Sequence, residues 1–490
     1  MATILTTGRP WRVILAFALP LLIGNVVQQL YQFADAIVVG RHLGVDALAA
    51  VGATGSLIFL LIGFAWGLSS GFAIPTAQAY GAADHAAVRR SVATGTLLTA
   101  AAALVISVGG PLIARPLLEL LQTPPVLLDQ ATVFTQVTFA GGSAVMFFNY
   151  LSAVIRSIGD SRTPLVFLAV SCALNIALVI LMVGVFEWGV AGAAFATVVA
   201  QAVSVALCLL YVWRRLPVLH VHRPDWRVTR ADIVEHLRLG LPMGFQASII
   251  AIGTITVQVA LNTLGADAVA AYTTASRVDS IAVAFLQSIG LAASMYAAQN
   301  LGARRPDRIR RGVREALWMA VVTALLLGAV LVLFGSFMVR LFIGDGSDAV
   351  VELSAHMLFI NGLSYTALAV LFVLRGVLQG LGHTLIPTVT GVIELVMRVG
   401  AAVLLGSLIG YTGVVLSNPL AWIGAVALLI PAYVSAHRGL AHVPVDPIEV
   451  TPTTAIPVVG PTDGSMVVDA VITAPVRVVR RRPRTRVGRR

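Results

Sequence analysis

Apolar stretches long enough to cross a ~30 Å hydrocarbon core recur along this sequence with little between them. They cover residues 13–39, 47–72, 92–114, 132–154, 164–186, 189–213, 237–262, 268–298, 315–338, 353–374, 385–407 and 411–435. A backbone in lipid must satisfy its polar groups internally, which leaves helices or closed barrels. A barrel needs alternating segments of about ten residues, and none is seen. An all-α polytopic membrane protein with twelve transmembrane helices is expected. Composition agrees, with only 11% charged residues against roughly 25% in soluble domains. The first run is too long for a signal h-region and lacks a cleavage site, so it reads as a retained span.

All 33 basic residues are arginine. Without lysine there is no Walker A lysine, no Schiff-base lysine and no lysine general base. A pump made of this chain alone must run on an ion gradient or a partner. With the N-terminus inside, the inner segments hold Arg9 and Arg12, Arg89 and Arg90, Arg156 and Arg162, the clusters across 214–238 and 304–314, Arg375, and those from 438 onward. The outer loops hold only Arg41, Arg115 and Arg340, while Arg277 and Arg398 lie within spans. That alternation fits twelve spans with both termini cytoplasmic, as expected of a multi-pass protein of the cell membrane.

The two halves resemble each other at a spacing of 221–223 residues. Leu43-Gly44 with Asp46-Ala47 answers Leu264-Gly265 with Asp267-Ala268, and Gln78 and Gly81 answer Gln299 and Gly302. Arg89-Arg90 answers Arg310-Arg311, Ser161 and Pro164 answer Thr384 and Pro387, Gly189 and Gly192 answer Gly410 and Gly413, and Pro20 answers Pro242. Six spans per copy give both the same orientation, so the repeat is parallel, with an axis along the membrane normal. The expected organisation is a six-helix lobe over 1–213, a cytosolic linker over 214–236 and a second six-helix lobe over 237–438. The arginine-rich segment over 439–490 reads as a disordered cytosolic tail.

The residues also carry a family resemblance. Phe17–Pro20 through Gly40, with Gln28-Gln29-Leu30-Tyr31 and Asp35, resembles the first helix of the multidrug and toxic compound extrusion (MATE) family. Gly44–Gly52, Arg156–Pro164, Gly189–Thr197, Gln299–Ala303 and Glu394–Arg398 are similar to that family too, so the likeness covers residues 9–438. It implies a secondary antiporter that exports organic, often cationic compounds in exchange for H+ or Na+, with no other cofactor. The expected partners are a small-molecule substrate and the lipid bilayer, without nucleic acid, and the chain is expected to act as a monomer.

Asp35 lies well inside the first span, where an ionised carboxylate is costly unless it meets a cation, a donor or water. The resemblance places Asp35, Asn175 and Thr197 on the family's N-lobe cation site. One branch has an acid a turn after the asparagine; here that position is Val179. A single carboxylate weakens a Na+ cage and favours a proton on Asp35. Glu394 and Arg398 are spaced i,i+4, within reach of each other, as a packing pair or a gate. Arg277 and Asp279 are two apart and need partners on other helices, Glu394 being a candidate for Arg277. Pro20 and Pro242 should kink their spans, as hinges or static bends.

Weaker signals point to packing. Gly67 with Gly71 and Gly376 with Gly380 have the spacing that lets helices approach closely. Cys172 and Cys208 sit in apolar runs and suggest no disulfide. His220 and His222 lack the companions a metal site needs. A lipid-linked-saccharide flippase of the same superfamily is the alternative function, disfavoured by having only two intramembrane arginines. The lack of a nucleophile–base pair, a metal cluster or a deep histidine in the spans argues against an intramembrane enzyme.

Overall fold

The computed structural model describes residues 5–343 and 347–442; the arginine-rich tail lies outside the described residues. Within them the chain is helical: α1 (Pro10–Ala53), α2 (Gly55–Gly81), α3 (His85–Leu120), α4 (Pro125–Ala140), α5 (Gly142–Ser157), α6 (Arg162–Val179), α7 (Gly189–Arg215), α8 (Arg230–Asn262), α9 (Ala266–Gly302), α10 (Pro306–Ile343), α11 (Asp348–Gly380), α12 (Leu385–Ile409) and α13 (Tyr411–Gly439). Eleven are long and apolar enough to cross a membrane, and the pair α4–α5, bent by 47°, meets the same test when taken together, which brings the number of candidate spans up to twelve. The bend falls at Gly141, where an added methyl group would overlap the Val198 side chain of α7.

Local chemistry sets the helix ends. Pro10 and Pro125 open α1 and α4, where a missing N–H costs nothing. Asp84 caps α3 by accepting from Ala87 N at 2.9 Å. Thr229 and Asp232 form a reciprocal capping box at the start of α8, satisfying two orphan donors.

Two expected spans are displaced. The run 47–72 is divided: residues up to Ala53 stay with α1 beyond a break at Gly44, and the second span is Gly55–Gly81. Hydropathy does not register a backbone break made by one glycine, and it undervalues Thr76, which is fully buried. The tenth span runs to Gly380 and takes Arg375 inside, 6% exposed, where the sequence reading placed it in a loop.

The backbone repeats as the sequence does. Left-handed residues recur in pairs 221 or 223 apart: Gly44 (φ 85°) with Gly265 (φ 102°), Ala83 (54°) with Arg304 (52°), Gly159 (92°) with Gly382 (87°), and Gly189 (60°) with Gly410 (61°). Such angles are sparsely populated outside glycine, so coincidence at a common spacing is a poor explanation. The fold is two six-helix halves built on one plan.

The halves meet near the arginine-rich ends of their helices. Gly67 and Gly71 of α2 lie against the backbone of Met243 and Gly240 in α8, the close approach that small residues permit. Within the C-terminal half, Gly376 and Gly380 pack likewise on Gly290 and Ser294 of α9. The first turns of α1 cross over: Val13, Ile14, Phe17 and Ala18 are buried in one hydrophobic cluster with Leu286, Ile289 and Ala293 of α9. Farther along the same helix, Val39 is buried with Val190, Ala193 and Ala194 of α7. Pro20 lies between those two anchorages, inside the helix.

Candidate functional site

A polar cluster lies within the spans where α1, α6 and α7 meet. Thr197 Oγ1 accepts from Asn175 Nδ2 at 3.1 Å and from the Tyr31 hydroxyl at 3.0 Å. It donates to Ala193 O on its own helix at 3.2 Å, so its capacity is used. Asn175 is fully buried. α6 is held to α7 by Ser171 Oγ donating to Ala200 O at 3.0 Å. A π-helical turn over Ile180–Val185 continues α6 toward the opposite end of the span; such turns widen a helix locally and are frequent at functional sites.

Asp35 sits one turn beyond Tyr31 on α1. Its Oδ1 is buried without a hydrogen-bond partner, as are Asn175 Oδ1 and Gln201 Oε1, the latter one turn along α7 from Thr197. Two of these buried acceptor oxygens, on Asp35 and Asn175, flank the Tyr31–Thr197 contact and make the cluster hungry for positive charge, since each unmet acceptor costs about 1–3 kcal/mol; Gln201 lies a turn away toward the arginine-rich end of α7. A proton or a small cation answers that chemistry. Tyr31 was missed as a site residue in the sequence. The i,i+4 spacing Tyr31–Asp35 was the available signal.

The repeat copies the backbone here but not the chemistry. At the corresponding spacings the C-terminal half carries Gly253, Val257, Arg398 and Asn418 in place of Tyr31, Asp35, Asn175 and Thr197. Its polar groups are arranged differently. Asp279 Oδ1 accepts from the Tyr365 hydroxyl at 2.7 Å and from Asn361 Nδ2 at 3.0 Å, joining α9 to α11. Arg277 is exposed, on another side of α9 from Asp279.

Glu394 is paired, but with neither of the arginines considered for it. Its Oε1 accepts from Arg375 Nη2 at 2.7 Å, the two side chains being 7% and 8% exposed. Arg398, one turn farther on α12, packs instead beside Gly253 of α8. Adjacency on one helix face gives reach, but α11 brings a guanidinium straight across to Glu394. Close by, Gln379 Nε2 donates to Gln246 Oε1 at 3.0 Å, and Gln246 Nε2 to Pro387 O at 3.1 Å.

Ser70, Gln246, Gln287, Ser294, Arg375 and Gln379 line a cavity of about 90 Å³ between the halves. Water takes roughly 30 Å³ and drug-sized ligands need about 300 Å³ or more. In this state the cavity suits a few waters, not an organic substrate.

A family model described as MatE matches the chain twice, over residues 20–181 and 242–404. The probable multidrug resistance protein YoeA of Bacillus subtilis (strain 168) is 30% identical over 389 residues, 78% of this chain and 84% of that protein. YpnP of the same organism, also described as a probable multidrug resistance protein, is 28% identical over 412 residues, 84% of this chain and 91% of its own length. A solved structure described as the outward-facing conformation of a multidrug resistance MATE family transporter of the MOP superfamily superposes with a TM-score of 0.82. It is 22% identical, covering 89% of this chain and 98% of that one, which speaks for the fold. The double match falls on the two structural repeats and takes in more than half of the chain, which therefore belongs to the MatE family of multi-pass membrane transporters, proteins that need no cofactor.

Proposed function

We propose that this protein is a secondary active antiporter that exports organic, cationic or amphipathic compounds by alternating access, driven by protons entering through Asp35. The observation that carries the reading is the unpartnered, buried Asp35 Oδ1 beside the Tyr31–Thr197–Asn175 cluster. An intramembrane carboxylate is expensive when ionised and is relieved by protonation. One carboxylate with neutral neighbours matches a proton better than Na+, which prefers several oxygen ligands, charged ones among them. The names of the relatives, multidrug resistance proteins, support an organic cargo.

The domain boundaries we adopt are 1–213 and 237–438 for the two lobes, joined by 214–236. Pro20 and Pro242 serve as hinges, each lying inside a helix that opens its lobe. The arginine-rich face is cytoplasmic by the positive-inside rule, with both termini on that side of the cell membrane. Asp279, Arg277, Arg398 and the Glu394–Arg375 pair belong to the C-lobe's gating machinery, and the chain works as a monomer.

The test is transport by purified protein in liposomes. A proton gradient and a sodium gradient are imposed separately while a panel of cationic dyes is followed. Proton-driven dye movement with little response to sodium is expected, and movement under sodium alone would refute the proton assignment.

A further inference from the structure

Two glutamines tie the halves together at the arginine-rich face, and they are repeat partners. Gln78 of α2 donates from Nε2 to Gly380 O at 3.0 Å, and Gln299 of α9 donates from Nε2 to Ser157 O at 2.7 Å. Gly380 ends α11 and Ser157 ends α5. The last carbonyls of a helix lack intrahelical partners, so each glutamine caps the open end of a helix in the other half. One turn on, the approach is closer still. A methyl group on Gly81 would overlap Gln299 O, and one on Gly302 would overlap Gln78 O. The contact has the pseudo-two-fold symmetry of the repeat.

The two sides differ in one respect. Gln299 is fully buried, and its Oε1 accepts from Leu5 N at 3.2 Å. Leu5 is itself fully buried. The segment behind it is held by Asn300 Nδ2 on Leu5 O at 3.2 Å and by Arg308 Nη1 on Gly8 O at 2.9 Å. Residues 5–8 therefore form a strap over one of the two glutamine contacts. The other contact, at Gln78, is only part-buried.

We propose that Gln78 and Gln299 are the gate residues that hold the translocation path shut at the arginine-rich face, with the residue 5–8 strap reinforcing the Gln299 side. Resting on the alternating-access reading above, this names the bonds that must break when the path opens to that face. All four backbone and side-chain groups can be rehydrated on opening, so the latch is reversible. Paired bonds of ordinary strength suit a gate that must open in every cycle.

The test reads the gate without substrate or ion gradient, so its failure and failure of the export reading are separate results. In a background lacking Cys172 and Cys208, Ser70→Cys places a thiol at the cavity wall, about 16 Å along α2 from Gly81 by helical rise. Membrane vesicles with the arginine-rich face outward are treated with an impermeant thiol reagent. Gln78→Met or Gln299→Met should raise the labelling rate about fivefold, and the pair about thirtyfold. Gln299→Glu keeps the acceptor for Leu5 N and loses the donor to Ser157 O, so it should also raise labelling, by less than Gln299→Met, which loses the strap bond as well. A native labelling rate in Gln299→Glu would mean that the inter-half bond does not hold the gate. Should the double variant not fold, the single variants carry the test. Unchanged labelling in folded variants would overturn the gate, as would faster labelling from the opposite face alone.

Discussion

The carboxylate of Glu394 is held by the guanidinium of Arg375 at 2.7 Å, with both side chains more than nine-tenths buried. Removing one partner strands the other charge in low dielectric, at a cost of about 3–5 kcal/mol, whereas removing both leaves a neutral pocket. Glu394→Gln and Arg375→Gln should each lower expression and thermal stability more than the double variant does. Arg398→Gln leaves the pair intact and should be milder than either. A double variant less stable than both singles would remove the pair from the account of how α11 and α12 are joined.

Membrane orientation is tested by thiol labelling of intact cells, after replacement of Cys172 and Cys208. Cysteines at Glu187 and Ile409, exposed at the end remote from the arginines, should react with an impermeant reagent. Cysteines at Ala86 and Asp307, exposed at the arginine-rich end, should react only after permeabilisation. Asp160 lies in an arginine-bearing turn but is unsuitable as a probe. Its carboxylate is 4% exposed and accepts from Thr163 Oγ1 at 2.7 Å and from the Tyr211 hydroxyl at 3.0 Å. Labelling at 307 from outside would invert the topology.

The segment between α7 and α8 is pinned to α3 by Asp225. Its Oδ2 accepts from His222 N at 2.8 Å and from Arg89 Nε at 3.2 Å. The backbone N–H of His222 and then the Arg89 charge hold the Asp225 carboxyl below its ordinary range. A depressed carboxyl contributes stability that is present above its unfolded value, near pH 4, and is lost as pH falls through the folded one. Asp225→Asn should therefore cost no more than about 1 kcal/mol at neutral pH, and the difference from native should shrink as pH falls below about 4 and vanish only below the folded value. Melting curves of both proteins across pH 3–8 decide; a difference growing toward acid would contradict the sign.

Helix number, the repeat and the position of Asp35 were legible in the sequence because each rests on local pattern: apolar run length, fixed spacing, a lone acid in lipid. The partner of Glu394 was not. Arg375 ends an apolar run when read along the chain and looks like a loop residue, yet the helix continues to Gly380 because its last turn packs on Ser294 of α9. Charge near a span end has two readings, and only the neighbouring helix separates them. The break at Gly44 was hidden for the opposite reason: the flanking residues are apolar on both sides, so hydropathy runs straight through a turn that one positive φ makes. Tyr31 was visible within a quoted motif, but its role needs Thr197 from a helix more than 160 residues away.

Asp35 provides the decisive functional prediction. Its Oδ1 is buried and unpartnered, while Thr197 is already engaged by Tyr31, Asn175 and Ala193. No neighbour named in the cluster brings a second charge, so occupancy by a proton is the simplest way to relieve the carboxylate. Protonation from the outer side would then accompany substrate release, and deprotonation inward would reset the cycle. Asp35→Asn imitates the protonated carboxyl in size and charge, so it should fold, bind dye and fail in gradient-driven efflux. Tyr31→Phe keeps Asp35 but removes one bond to Thr197, and should slow efflux by several fold without abolishing its dependence on the proton gradient. Dye binding by fluorescence polarisation and efflux from proteoliposomes separate the two steps. Native efflux rates in Asp35→Asn would take the coupling role away from this residue.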